Sequence, residues 1–420
     1  MTMKELFNEK ESNVRSYCRK YNTVFSKAKG SLLFDTDGNQ YIDFFSGAGA
    51  LNYGHNPAYI KEKIIQYLKD DNIIHALDFH TKAKYDFIKK IYAVILEPRQ
   101  LDYKIMFTGP TGTNAVEAAL KLARKVTKRQ NVLAFAGAFH GMSLGSLAVT
   151  TDKVSREGAG VSLNDVIFIP FESGGGYKIN PLDYFEHLLQ DDHSGIQKPA
   201  AVIFETIQAE GGVNVASMSW LRRLEGICKR NGILLICDDI QVGCGRTGSF
   251  FSFEEYDIKP EMVILSKSLS GYGFPMSILL LEPQLDVWKP AEHNGTFRGN
   301  QLAFVGATTA LDFWTDNKLS NTVNEKSKLI EDFLKSKVLS LNSKIEIRGR
   351  GLIWAVDTSK VPDANAGELV KACFNNHLIL ETCGRNDAAL KLLPALTIED
   401  DLLIDGLQII EQTIGDSLAR

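Results

Sequence analysis

No two cysteines in this sequence stand in a CxxC spacing. The six that occur, Cys18, Cys228, Cys237, Cys244, Cys373 and Cys383, are scattered along the chain. Neither a structural zinc site nor a disulfide framework is suggested, and reduced, structural thiols are expected. No stretch approaches the ~18 uninterrupted apolar residues of a membrane-spanning helix. The opening MTMKELFNEKESNVRSYCRKYN carries charges throughout and lacks the apolar core of a secretory signal, so a cytosolic chain is expected. A strong charge of one sign is also missing: 47 Lys and Arg against 51 Asp and Glu leave a formal net charge of -4. A general nucleic-acid or membrane-surface binder needs a concentrated positive field, and this chain has none. There is no internal repeat and no Pro- or Ser-rich linker. The one low-complexity patch, SGGGYKINP at 173–181, reads as a surface loop. Small molecules remain as the expected partners.

What is present is an ordinary globular composition, 420 residues with 44% hydrophobic and 23% charged. That suffices for a large core in one elaborate or two intimate domains. Apolar runs of strand length recur at KIMFTG, NVLAFAG, DVIFIPF, AVIFET, ILLICDD, MVILSKS and SILLLE, mostly separated by segments of helical periodicity. Such doubly apolar strands predict a mainly parallel sheet flanked by helices on both faces. After Gly112, residues Val116, Ala119, Leu120 and Ala123 share one helical face, with Glu117 and Lys121 as an i,i+4 pair on the other. The ends differ from the middle. GSLLFDTDGNQYIDFFSG alternates as strands do around an Asp-Gly turn. Beyond about residue 310 come a long charged helix, a short strand near KIEIRGRGLIWAVD and a final helix pair. The expected organisation is an α/β protein with a large domain over 56–310 and a small α+β domain assembled from 1–55 and 311–420.

In open parallel sheets ligands bind at the carboxyl ends of strands, so the residues just after the apolar runs are the ones to inspect. KIMF leads into TGPTGTNAVEAALKLARK, a Gly-rich turn feeding a helix whose first N–H groups and dipole favour an anion. Gly112 and Thr113 there are candidates for a phosphate cup; an N-cap by Thr111 or Thr113 is the plainer alternative. Phe139 and His140 follow NVLAFAG, where an aromatic ring can cover a flat cofactor or simply form core and rim. Glu205 and Glu210 flank Gln208 after AVIFE and read either as solvated acids or, beside Gly211 and Gly212, as part of a tight turn. Asp238 directly follows an apolar run, where an unpaired buried carboxylate would cost several kcal/mol; it needs a cationic or proton-donating partner. Lys267 sits just past MVIL among small residues, and a confined amine of lowered pKa is a Schiff-base candidate. A phosphate cup, an aromatic lid, an acid and a lysine together fit pyridoxal 5'-phosphate, whose phosphate, ring face, ring nitrogen and aldehyde each need one of them. No metal site is expected.

Over nearly its full length, from DGNQYIDFFSGAGALNYGHN to LKLLPALTI, the chain resembles the class III, or omega, aminotransferases of pyridoxal-phosphate fold-type I. DDIQVGCGRTG resembles that family's acidic-x-Gln-x-Gly-x-Gly-Arg-Thr-Gly signature, and SKSLSGYGFP its lysine motif. The resemblance implies Lys267 as the lysine that condenses with the cofactor aldehyde, Asp238 on the ring nitrogen and Gln241 near the ring hydroxyl. It implies Phe139 stacked on the ring, with Gly112 and Thr113 on the phosphate. HNGTFRGN is similar to the segment whose threonine, here Thr296, reaches the neighbouring subunit's phosphate, which implies a homodimer or a tetramer of dimers. GAGALNYGHN, GPTGTNAVEAALKLARK, DDIQVGCGRTGSFFSFE and WKPAEHNGTFRG are most similar to the diaminobutyrate–2-oxoglutarate group, enzymes of ectoine and of siderophore or peptide pathways. The implied reaction is L-glutamate with L-aspartate 4-semialdehyde giving 2-oxoglutarate and L-2,4-diaminobutyrate. Related omega-aminotransferases acting on ornithine, 4-aminobutyrate, lysine or a sulfonated amine, a mutase or racemase of the same fold, and a pyridoxal-phosphate-binding protein without turnover stay open. Two departures concern carboxylate recognition. Lys391 in LKLLPAL stands where many relatives have arginine, and Asp239 follows Asp238 where many have Asp-Glu. Glu210 and Lys391 resemble the family's switchable acid and base pair; the alternative is a lysine that snorkels to solvent.

Overall fold

The computed structural model describes residues 2–172, 179–362 and 364–419. Each of the seven apolar runs becomes a strand of one central sheet. Its order is Lys104–Phe107, Ile278–Leu281, Met262–Leu265, Leu234–Asp238, Ala201–Phe204, Val132–Phe135, Val166–Ile169. Ile278–Leu281 runs against both of its neighbours, and the other pairings are parallel. All residues of Val132–Phe135, Ala201–Phe204, Met262–Leu265 and Ile278–Leu281 are buried. With helices on both faces neither side of these strands meets water, which is why they read as continuous apolar runs rather than alternating ones.

The helix Gly112–Thr127 follows the first strand of this order, and Val116, Ala119, Leu120 and Ala123 are buried as its periodicity predicts. Burying Val116 and Leu120 contributes about 1.5–3 kcal/mol each. The expected Glu117–Lys121 pair does not form. The Glu117 carboxylate instead accepts from the Gly145 and Ser146 amides and the Ser143 hydroxyl, while Lys121 Nζ donates to Glu292 O. The unpaired amides that open the helix Leu144–Val149 hold a carboxylate better than an exposed lysine does.

Both chain ends build the smaller sheets. Phe25–Lys29, Leu32–Asp35 and Gln40–Asp43 form an antiparallel meander, turning through Gly38 at φ 87°, and Leu378–Ile379 pairs in parallel with Ile42 and Asp43. A second sheet contains Glu346–Arg350, Ile353–Asp357, Ala389–Leu392 and Glu381–Cys383, in that order. The single strand expected near KIEIRGRGLIWAVD is therefore a hairpin. Its turn residue Gly351 has φ 57°, and a Cβ there would lie 2.2 Å from the Arg246 carbonyl oxygen, so only glycine fits. The long charged helix is Lys318–Phe333, and Ala366–Asn375 and Asp400–Leu418 are the last two helices. The surface loop expected at 173–181 lies mostly outside the described residues; Asn180 caps the helix Pro181–Gln190 by accepting from the Leu182 amide at 3.0 Å. Among the described residues no helix is long and apolar enough to cross a membrane.

Candidate active site

The parallel strands all deliver their carboxyl ends to one edge of the sheet, where a cavity of about 160 Å³ opens. Of the eleven residues singled out from the sequence, all except Thr296 and Lys391 line it.

Asp238 and Asp239 separate to opposite sides because adjacent side chains on a strand alternate. Asp238 faces the cavity. Its Oδ2 lies 2.7 Å from His140 Nδ1, and its Oδ1 accepts from the Ile240 amide at 3.2 Å. Asp239 points back, accepting from the Ser252 amide at 3.1 Å, and burial pushes its carboxyl up to about 7. The His140 ring is fully buried, and among the described residues its Nε2 has no hydrogen-bond partner. Burial disfavours its cation, yet the bond to Asp238 and the charges of Asp238 and Glu205 outweigh that, and its pKa is raised. Glu205 is not solvated. It is buried, its carboxylate accepts from the Phe139 and Ala209 amides at 3.2 and 3.3 Å, and desolvation pushes it up to about 7. Phe139 itself remains 37% exposed, an apolar wall at the mouth.

Lys267 adopts φ 48°, a left-handed conformation that a β-carbon disfavours by about 1–3 kcal/mol. Neighbouring serines hold it there: Ser266 Oγ donates to Met276 O at 2.8 Å, and Ser268 Oγ donates to Gly49 O at 2.7 Å while accepting from the Asn52 amide. Among the described residues its amine has no hydrogen bond or ion pair. Desolvation lowers its pKa, with Glu210 opposing and Lys391 assisting.

At the start of Gly112–Thr127, Thr111 N and Oγ1 both donate to Asn114 Oδ1, so the cap is made by Thr111 and Thr113 is left for other partners. Thr113 Oγ1 lies 2.6 Å from Ser143 Oγ, which donates to Glu117. Thr296 stands apart on an exposed segment, its carbonyl 3.0 Å from His75 Nε2.

The family profile of class III aminotransferases matches residues 16–414. The chain belongs to the class III aminotransferases. It is 51% identical over 418 residues to a diaminobutyrate–2-oxoglutarate transaminase of Bordetella parapertussis, covering 99% of this chain and 96% of that one. It is also 51% identical to the transaminase of that name from Virgibacillus pantothenticus, covering 99% and 100%. Among solved structures, ornithine aminotransferase from Toxoplasma gondii superposes with TM-score 0.85 at 25% identity, over 98% and 93% of the two chains. Taurine:2-oxoglutarate aminotransferase from Bifidobacterium kashiwanohense, in complex with PLP and glutamate, does so with 0.86 at 21%, over 100% and 99%. The fold is thus fold-type I, the protein is an enzyme, and its class depends on pyridoxal 5'-phosphate.

The aminotransferase buries Lys391 completely, so it does not snorkel. Its Nζ lies 2.6 Å from Glu210 Oε1, and Gln241 Nε2 donates to the same oxygen at 3.1 Å and to Ala48 O at 3.0 Å. Burial opposes the charge on Lys391, but its two acidic neighbours raise its pKa and the lysine lowers that of Glu210. The second neighbour is Glu381, which sequence reasoning missed, with Oε1 3.0 Å from Nζ. It sits directly across the antiparallel ladder from Lys391. Folding ILETCGRNDAALKLL as a hairpin centred on Asn386 would have aligned the two.

Arg246 of the DDIQVGCGRTG motif is also fully buried. Its guanidinium donates to the carbonyls of Leu352, at 3.0 Å, and Pro394, and to Asn52 Oδ1 at 2.5 Å, clamping three remote segments behind the pocket. Burial, opposed by Asp43, pushes it down to about 9.

Proposed function

We propose that this aminotransferase moves an amino group reversibly between L-glutamate and L-aspartate 4-semialdehyde, giving 2-oxoglutarate and L-2,4-diaminobutyrate. The observation that carries the reading is the near-full-length identity of 48–51% to relatives bearing that activity's name. The buried lysine set against acids beside Lys267 supports it, because such a site can offer charge of either sign to successive substrates. The residues fit pyridoxal 5'-phosphate: an amine without a partner among the described residues, a buried acid backed by histidine and a helix start meet in one cavity. When bound, that cofactor supplies an aldehyde and an electron-withdrawing ring.

In this reading Lys267 would hold the cofactor through its amine and, when free, would carry a proton between substrate atoms as a general base of lowered pKa. Asp238, held by His140 at 2.7 Å, would face the ring nitrogen and favour a proton there. Phe139 would cover the cofactor ring, Gln241 and Glu205 border the site, and Gly112 with Thr113 would hold the phosphate. Thr296, outside its own cavity, serves the phosphate of a second subunit, so the enzyme is a cytosolic homodimer or a tetramer of dimers. Residues 56–310 form the cofactor-binding domain; 1–55 and 311–420 form the smaller one, a division supported by the pairing of Leu378–Ile379 with Ile42 and Asp43.

The test is a panel of amino donors with 2-oxoglutarate, products identified by mass spectrometry. L-2,4-Diaminobutyrate is expected to be converted faster than ornithine, 4-aminobutyrate, lysine or taurine. If it is not among the best donors, the named reaction is wrong and the aminotransferase class stands.

A further inference from the structure

Three hydroxyls and one carboxylate meet beside the start of the helix Gly112–Thr127. Glu117 Oε1 accepts from the Gly145 and Ser146 amides at 2.9 and 3.1 Å and from Ser143 Oγ at 2.6 Å. Ser143 Oγ lies 2.6 Å from Thr113 Oγ1, and Thr113 lines the cavity. The close approach needs bare backbone on the facing loop. A Cβ on Gly145 would lie 2.1 Å from Glu117 Oε2, and one on Gly141 would lie 2.6 Å from Thr113 Oγ1. Each hydroxyl owns one proton, so counting protons gives the chain a direction. Ser143 has Glu117 at 2.6 Å and Ser146 Oγ at 3.3 Å as acceptors, and the short contact to the charged one wins. Ser146 Oγ gives its proton to Thr113 O at 3.1 Å. Both serines therefore face Thr113 Oγ1 as acceptors, at 2.6 and 2.8 Å. The chain runs from Thr113 through Ser143 to Glu117.

A phosphate monoester at neutral pH presents strong acceptors. For Thr113 to donate to one, its proton must leave Ser143, and their 2.6 Å contact then requires Ser143 to turn its own proton from Glu117 to Thr113. Two anions thus stand at the ends of a chain that holds two protons, and the chain satisfies one of them. We propose that Glu117, acting through Ser143, competes with the cofactor phosphate for the Thr113 hydroxyl and so loosens the phosphate cup. This rests on reading Gly112 and Thr113 as that cup. A chain that ends on a carboxylate polarises both hydroxyls and rivals a phosphate, which a neutral serine alone does not. Glu117 can release Ser143 because the Gly145 and Ser146 amides still satisfy its carboxylate. Cofactor retention is thereby set by a positioning residue outside the cavity lining.

The experiment strips the full-length enzyme of cofactor and titrates it with pyridoxal 5'-phosphate or with pyridoxal, which lacks the phosphate, following cofactor absorbance. The ratio of the two affinities is the preference for the phosphate. In Ser143→Ala and in Glu117→Gln this preference is expected to rise roughly 3- to 10-fold, the difference between a charge-assisted and a neutral hydrogen bond. Damage to the fold would lower it, so a partly unfolded variant cannot imitate the gain. Thr113→Val should lower the preference, and adding Ser143→Ala or Glu117→Gln to it should then change nothing. A preference that is unchanged or lower in either single variant overturns the competition and, where Thr113→Val lowers it, leaves the cup standing. Should Glu117→Gln not fold, Ser143→Ala decides. A gain that survives in the Thr113→Val background reports plain repulsion between Glu117 and the phosphate, and it also overturns the competition. If Thr113→Val itself stays at the wild-type preference, the phosphate does not use that hydroxyl, and the cup falls together with the competition.

Discussion

Replacing Lys391 by methionine keeps the length of the side chain and removes its charge, and the geometry sets the cost. At 2.6 and 3.0 Å the attractions to Glu210 and Glu381 amount to about 6 and about 5.5 kcal/mol at an effective dielectric of 20. Desolvating each ion offsets several kcal/mol of this, but removing the cation alone leaves two like charges facing each other, a loss of about 3–5 kcal/mol. The loss must depend on pH, because Glu381 already lies above the usual carboxylate range through burial and rises further without the lysine. A carboxyl raised in the fold binds its proton more tightly there than in the unfolded chain. It favours the folded state below its unfolded value of about 4.3, and that advantage disappears as pH climbs through the folded value. The deficit of Lys391→Met is therefore expected to be smallest in mild acid and to grow as pH rises through the raised value of Glu381. Thermal unfolding followed by circular dichroism, at one protein concentration across this range, measures it. Adding Glu210→Gln and Glu381→Gln to the variant should recover most of the stability, since no buried ion is then left unpaired. A melting difference that is absent, or that does not vary with pH, would refute the reasoning.

Asp238→Asn should lower kcat at least ~10²-fold with little change in KM, as expected for a positioned charge; near-normal kcat removes its assignment to the ring nitrogen. Borohydride reduction and peptide mapping should place the pyridoxyl adduct on Lys267, and an adduct on another lysine would overturn that role. Sedimentation should find dimers or larger assemblies, with Thr296→Ala weakening cofactor retention; a fully active monomer contradicts the shared phosphate site. Gly351→Ala must put a methyl group against the Arg246 carbonyl in a left-handed turn, costing about 1–3 kcal/mol. An unshifted urea midpoint would show that the turn tolerates a side chain.

The central sheet was legible because strands covered on both faces leave unbroken apolar runs, and because each run ends where chemistry begins: Glu205 after Phe204, Asp238 at the end of its strand, Lys267 after Leu265. Pairing across the ladder was not legible to the same degree. ILETCG carries no motif of its own and its pairing with ALKLL leaves no mark in either segment, so Glu381 goes unnoticed while its partner Lys391, placed by a motif, does not. The hairpin at 346–357 was compressed into one strand because its two-residue turn, Gly351 and Leu352, is disguised by a run of Arg and Gly. Glu117 was assigned to the helix surface by periodicity, which records the face of a helix but not a neighbouring helix whose amides claim the side chain.

The parallel contact of Leu378–Ile379 with Ile42 and Asp43 has a consequence for synthesis on the ribosome. The strand Gln40–Asp43 emerges early and lacks its edge partner until roughly 340 residues later, tens of seconds at about 5–20 residues per second. Meanwhile it presents open N–H and C=O groups to any other nascent chain, which makes it a place for a chaperone to shield. Asn52, Arg246 and Pro394 likewise cannot knot together before Pro394 has been made. A chain halted before Lys391 and Pro394 are made carries a cofactor lysine just past a finished strand but no finished pocket around it, so the reactive amine gains its surroundings long after the amine itself is made.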